Sequence, residues 1–493
     1  MPSAFLLFAT VLAGQSDPLA EKSRVAKQLM STGRFEQAIP IYQELVKAVP
    51  NDTGLLLNLA LAQHMAGHEA ESIPNFEAVL RAQPKSLPAL LSLGAARLAL
   101  NQPSQAIAPL RQAIEADPAN RDARGMLAGA CMDSGRYDEA AEQFRKLTAL
   151  AVDEPRAWYG LGMAYQAIAG SAFDRLQRAG PQSPYLAALI AGARVQRRQY
   201  RSAFFFYREA LKKLPDLHGV HQALADVYRK TGHPDWAESE EAKERSLAPA
   251  DCRTHAGECQ FLAGKDLEAL RPLRTAAPSP ETLYWQVKAA NELAYQAFFR
   301  LGQLPPSVEL HQFKAEIARN QGQPVESVSE WREALKLLPG DPRLQQELAV
   351  SLFMAGDYKA ALEESLSALK KMPRSGEANL IAGDSLARLE QPDKAIPYLR
   401  AALADDSHLP GARAALGLAL ARSGNTAKAI PLLEESLDAD DDGSLHYQLA
   451  RAYQAAGESA KAAAAMAEYR EILKKSQAAK DEIAREAQIE PPN

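Results

Sequence analysis

The stretch from Thr53 to Pro118 constrains this chain more than any other. It holds two copies of one 34-residue unit, and each closes on a proline, Pro84 and Pro118, as the preceding unit closes on Pro50. In the second copy Leu93-Gly94 comes early, Ala106-Ile107 in the middle, then Leu110 and Ala113. This spacing predicts two amphipathic helices, each with a small residue where they touch, and then a proline that forbids further helix. In a solenoid of such units each contacts only its neighbours, so 493 residues need not mean several globular domains.

The same ruler fits residues 19–50 (Ala26, Gly33, Ala38, Tyr42), 53–84 (Ala60, Gly67, Phe76) and 121–152 (Ala128, Gly135, Ala140, Phe144). Gly33, Gly67 and Gly135 fall at the tight turn between paired helices, where a positive φ is cheap only for glycine. The small residues let two backbones approach, and Tyr42, Phe76 or Phe144 fills the wedge to the next unit. The phased recurrence of Gly, Ala, aromatic and Pro, with Trp158-Tyr159-Gly160-Leu161-Gly162-Met163-Ala164-Tyr165 as its best instance, resembles the tetratricopeptide repeat. The resemblance covers nearly everything from residue 19 to 488. It implies an all-α, right-handed superhelical solenoid of about 12–13 helix pairs.

The rhythm breaks twice. Tyr159, Ala172-Phe173 and Arg175-Leu176 reappear 125 residues on as Tyr284, Ala297-Phe298 and Arg300-Leu301. Arg208-Glu209-Ala210-Leu211-Lys212 likewise returns as Arg332-Glu333-Ala334-Leu335-Lys336. The middle section, 155–339, therefore contains a duplication, 155–215 against 281–339, and each copy is expected to open with one long helix of about 30 Å. Regular repeats occupy 19–152 before it and 342–458 after it. A final helix over 459–488 turns polar beyond Lys474, as suits the end of an array.

Composition removes several function classes. A net charge of −5 is small for this length and argues against a nucleic-acid groove. The ten apolar or small residues from Ala4 to Ala13 are too few to span a bilayer, but they suit the core of a signal peptide over residues 1–14, with Val11-Leu12-Ala13 before the cut. No positive charge precedes that run. Export to the periplasm or beyond thus stands beside a cytoplasmic alternative in which the segment is a frayed first helix. Cys252 and Cys259 would lie about 10 Å apart on one continuous helix, so they can form a disulfide only if the helix starts after Cys252, with Thr254 as its cap. Cys131 reads as a small buried hydrophobe.

Signatures of catalysis are near misses. Gly257, Gly264, Lys265 and Asp266 have the wrong spacing and residue types for a phosphate loop. Asp438, Asp440, Asp442 and Gly443 match the start of a calcium loop, but Leu449 stands where a bidentate Glu should close it, and a solvated turn accounts for them as well. Neither an enzyme nor a cofactor site is expected. The resemblance to the repeat family implies instead a concave groove for a protein or peptide partner. Carried over position by position, it is lined by Leu57, Leu61, Met65, Leu91, Leu98 and Met132. In the middle follow Tyr159, Met163, Tyr185, Asp226, Arg229, Lys230, Glu316 and Arg319. Leu57, Leu61, Leu91 and Ala95 stand where co-chaperones of the family place the Lys and Asn of a carboxylate clamp, so that clamp is missing.

Overall fold

The computed structural model describes residues 18–486 and 488–492; the expected signal peptide, 1–14, lies outside them. Among the described residues there are 26 α-helices and no strand. Contacts divide the chain into two units that meet at Ile168 and Ala169. In the first, α1 (Pro18–Ser31) pairs with α2 (Phe35–Ala48), α3 (Thr53–Met65) with α4 (Glu69–Ala82), α5 (Leu87–Ala99) with α6 (Pro103–Ala116), and α7 (Arg121–Asp133) with α8 (Tyr137–Leu150). The unit boundary falls within the long α9 (Pro155–Ala179).

The second unit continues with α10 (Pro184–Gln196) and α11 (Tyr200–Lys213), α12 (Val220–Lys230) and α13 (Pro234–Ser246), and the short α14 (Ala256–Leu262) and α15 (Asp266–Thr275). The second long helix, α16 (Pro280–Gly302), follows. Regular pairs resume with α17 (Val308–Asn320) and α18 (Pro324–Leu337), α19 (Pro342–Met354) and α20 (Tyr358–Lys371), and α21 (Gly376–Arg388) and α22 (Pro392–Asp405). The last are α23 (Ala412–Arg422) with α24 (Thr426–Glu434), and α25 (Ser444–Ala455) with α26 (Ser459–Glu486). Each unit is an all-α array in which most helices pack on the next and several first helices, such as α3 and α5 or α19 and α21, also meet one another.

One contact repeats through both units. A small residue on the first helix of a pair lies opposite a large one 16 positions later: Ala26 and Tyr42, Ala60 and Phe76, Gly94 and Leu110, Ala315 and Trp331, Gly383 and Leu399, Gly417 and Leu433. Tyr42, Phe76 and Trp331 are almost wholly buried, and each such side chain contributes about 1.5–3 kcal/mol by leaving water. The fit is tight. A Cβ on Gly94 would stand 2.5 Å from Leu110, and one on Gly383 2.6 Å from Leu399.

The turns between paired helices share one backbone form. Gly33, Gly67, Gly135, Gly232 and Gly356 adopt φ between 70° and 88° there, but the equivalent places hold Asn101, Arg198 and Glu390 at 56° to 58°. A side chain at such a φ costs on the order of 1 kcal/mol, least for Asn.

The duplicated middle folds back on itself. Gly180 lies against Pro280, and the Tyr185 and Tyr284 rings sit 5.4 Å apart, so the start of α16 packs on α10 across the short α14–α15 pair. Helix α14 begins only at Ala256, which leaves Cys252 outside it, and the Cys252 and Cys259 Cα atoms lie 5.5 Å apart with their sulfurs bonded. The cap is His255, not Thr254, whose hydroxyl is engaged with Asp251. Helix α26 also touches α11.

Two stability measurements follow. Arg198→Gly and Glu390→Gly should each raise unfolding free energy by roughly 0.5–1 kcal/mol, strain relief outweighing the entropy glycine adds to the unfolded chain; denaturant melts read this directly. Ala106→Leu and Gly417→Leu should lower it by roughly 1–3 kcal/mol through overpacking. An unchanged midpoint for both leucine variants would mean that the helix-pair contacts are misplaced.

Candidate functional site

The first unit presents its candidate groove on α3, α5 and α7, which contact one another in order. Leu57 and Leu61 are half-buried against the cluster of Ile73 and Phe76, and Leu91 against that of Leu90 and Ala113. Leu98 and Met132 are also half-buried, while Met65 is 54% exposed. These residues therefore serve the repeat core with one edge and leave the other open. Tyr159 and Met163 stand half-buried on α9 in the same unit.

Both arginines expected in the second unit are engaged with carboxylates. Arg229 pairs with Asp226 at 3.2 Å and with Glu241, and Lys230 is exposed beside them. Arg319 on α17 donates to Glu347 on α19 at 2.7 Å. Gln346 on α19 donates to Glu377 on α21 at 2.6 Å. Burial, followed by the charge of Glu347, raises the Glu377 carboxyl above its ordinary value. Asp384 on the same helix is pushed up to about 6 by burial, against the opposing pull of Arg388. Glu316 is half-buried in this row.

Four rings fall close together on α11. Phe204 and Tyr207 are buried, while Phe205 and Phe206 are half-buried and meet edge to face at 5.1 Å. Tyr185 is half-buried on Tyr284 rather than free in a groove. Tyr295 and Phe299 escaped the sequence reading, although they stand on one face of α16 at 63% and 59% exposure. The signal was present in the duplication: a spacing of 125 sets them opposite Gly170 and Asp174, so only the second copy carries rings there.

The calcium-loop aspartates stand just before α25. Both carboxylate oxygens of Asp440 accept from the start of α25, from Leu445 N at 2.9 Å and His446 N at 2.8 Å, and Asp442 accepts from Ser444 N at 2.8 Å. Leu449 is buried core. Two of the three aspartates thus accept from N–H groups at the start of a helix, as capping residues do. Among the described residues, one group brings three potential ligand atoms within 4.8 Å of one another: His255, Glu258 and Glu281. Its members are already paired, His255 Nε2 with Glu281 at 3.3 Å and Glu258 with His218 Nδ1, outside the group, at 2.9 Å.

The tetratricopeptide repeat family matches residues 26–87, 97–163, 314–375, 380–444 and 443–468, more than half of the chain. The chain is a tetratricopeptide-repeat protein. As in other tetratricopeptide-repeat proteins, its array is a protein-interaction scaffold. A search of curated proteins finds no match. Among solved structures, MamA 41-end from Desulfovibrio magneticus RS-1 is 24% identical over 34% of this chain and 96% of its own, with a TM-score of 0.31. A second MamA structure is 21% identical over 40% and 92%, at 0.30. The APC/C hetero-tetramer Cut9–Hcn1 is 13% identical over 89% and 96%, at 0.31.

One buried ion pair in this tetratricopeptide-repeat array sets a pH test. His221 Nδ1 lies 2.5 Å from Glu240 and its Nε2 donates to the Pro215 carbonyl at 2.9 Å, an arrangement that suits the imidazolium. The Glu240 hydrogen bond holds the His221 pKa above its ordinary value against burial. Burial pulls Glu240 upward, but its bonds to His221 and Lys243 prevail and hold it low. The raised histidine stabilises fully below its unfolded value and loses that contribution as pH rises through the folded one. The lowered glutamate stabilises above its unfolded value and loses this as pH falls. The pair should therefore contribute most between about pH 4.5 and about pH 6.5. His221→Gln should flatten the fall in stability above that window; a native-like slope in pH-dependent melts would exclude the pair as its source.

Proposed function

We propose that the first-unit groove holds an extended peptide or an amphipathic helix of a protein partner, and that the chain is a non-catalytic scaffold of the cell envelope or the secreted space. The observation that carries the binding reading is the apolar row of Leu57, Leu61, Met65, Leu91 and Leu98, with Met65 54% exposed. Half-open leucines and a methionine suit a partner that lays an apolar face along the array. The envelope reading is supported by the Cys252–Cys259 bond, since disulfides persist in oxidising compartments, and by the apolar run before Ala13. The absence of a positive charge before that run favours a second reading, a cytoplasmic helper of an assembly or secretion machine with the same groove.

Photo-crosslinking groups at Met65 and Leu98 should capture the same partner in cells. Met65→Lys with Leu98→Gln should cut that capture at least tenfold, at a stability cost near 1 kcal/mol. Undiminished capture would move the site elsewhere. For location, Cys252 and Cys259 should resist alkylation in native protein until reduced, with the mature N-terminus following Ala13 or Gly14 by mass spectrometry. Reactive thiols together with a retained Met1 would favour the cytoplasmic reading.

A further inference from the structure

The segment 488–492 meets residues from near the start of the second unit. Glu490 accepts from Arg208 Nη1 at 2.8 Å, 282 residues earlier in the chain, and its carbonyl accepts from the Tyr228 hydroxyl at 2.8 Å. Ile489 and Pro492 are half-buried, and the segment is not helical. It therefore lies on α11 and α12 as an extended peptide would, held through one side chain and one backbone group.

The receiving surface is more than a chance ion pair. Arg208 is placed over the Phe204 ring at 5.5 Å, which fixes the guanidinium against an apolar floor. Phe204 meets Tyr228 at 5.7 Å, Tyr228 meets Trp236 at 5.7 Å, and His233 stacks on Trp236 at 3.9 Å. A run of rings extends away from the Tyr228 hydroxyl. Pro491 and Pro492 hold their part of the segment near polyproline geometry, so little chain entropy is lost on docking. Aromatic surfaces that receive such segments recur in peptide recognition.

We infer that α11 and α12 carry a docking site for an extended acidic–proline peptide of the type Ile-Glu-Pro-Pro, and that the chain's own 489–492 occupies it until a partner segment of that chemistry displaces it. This surface is separate from the first-unit groove, so the two readings stand or fall independently. An exposed ion pair is weak alone. The tethered segment competes through its effective concentration, which reaches the millimolar range for short linkers. Displacement would also loosen the contact between α26 and α11, giving the site a structural readout.

The probe is a fluorescently labelled synthetic peptide, Glu-Ala-Gln-Ile-Glu-Pro-Pro, titrated by anisotropy into the full chain, into its Glu490→Lys variant, and into Glu490→Lys combined with Arg208→Ala or with Tyr228→Phe. The Glu490→Lys protein should bind at least tenfold more tightly than the native chain, because its own segment no longer competes. Arg208→Ala should remove most of that binding, and the ring-preserving Tyr228→Phe should weaken it severalfold. Equal affinity for the native and Glu490→Lys proteins would overturn the proposal. So would binding that survives Arg208→Ala, or no binding to the Glu490→Lys protein while its melt is native-like.

Discussion

The contact between a small residue on one helix and a large one 16 residues later is what the rest of this structure depends on. Where the small residue is glycine or alanine, the paired backbones approach closely enough for the second helix to seat its Leu, Phe, Tyr or Trp against the first. The seated side chain then forms part of the wall on which the next pair stacks. Local geometry thus fixes each pair, and stacking of pairs builds the array. The exposed faces are a consequence: once the seam is filled, the outward positions of the first helices are free to vary, and they hold leucines in one place and ion pairs in another.

This division explains what the sequence made legible. The period, the turn glycines and the closing prolines are local, and they announced the helix pairs and both long helices. A third level of order was hidden. That Pro280 would rest on Gly180 and Tyr284 on Tyr185 depends on two short helices, α14 and α15, and on how far they advance the chain. No periodicity encodes that distance. The return of Glu490 to Arg208 and Tyr228 is hidden for the same reason, since a charged residue after a polar helix reads as solvated until the fold places an arginine beside it.

The candidate sites divide along the same line. Groove positions on α3 and α5 were expected from repeat position, and the fold leaves them half-buried or exposed. An aspartate that caps a helix and one that binds a cation look alike in sequence; the fold adds that Asp440 accepts from the N–H groups of Leu445 and His446. Tyr295 and Phe299 were visible only as a difference between two copies of one segment. Rings that the core does not need are better pointers to a binding surface than rings that recur with the repeat.

The small-against-large contact can be tested by a double-mutant cycle on Gly383 and Leu399. A Cβ at Gly383 would stand 2.6 Å from the Leu399 side chain, so Gly383→Ala should destabilise in spite of alanine's better helix propensity. In a Leu399→Ala background the same methyl group enters vacated space, and the propensity term is unchanged between the two backgrounds. Unfolding free energies from denaturant melts should then show the double variant at least about 1 kcal/mol more stable than the sum of the single changes predicts. Simple additivity would contradict the account, because it would mean that Gly383 and Leu399 do not share the space on which the packing of each pair rests.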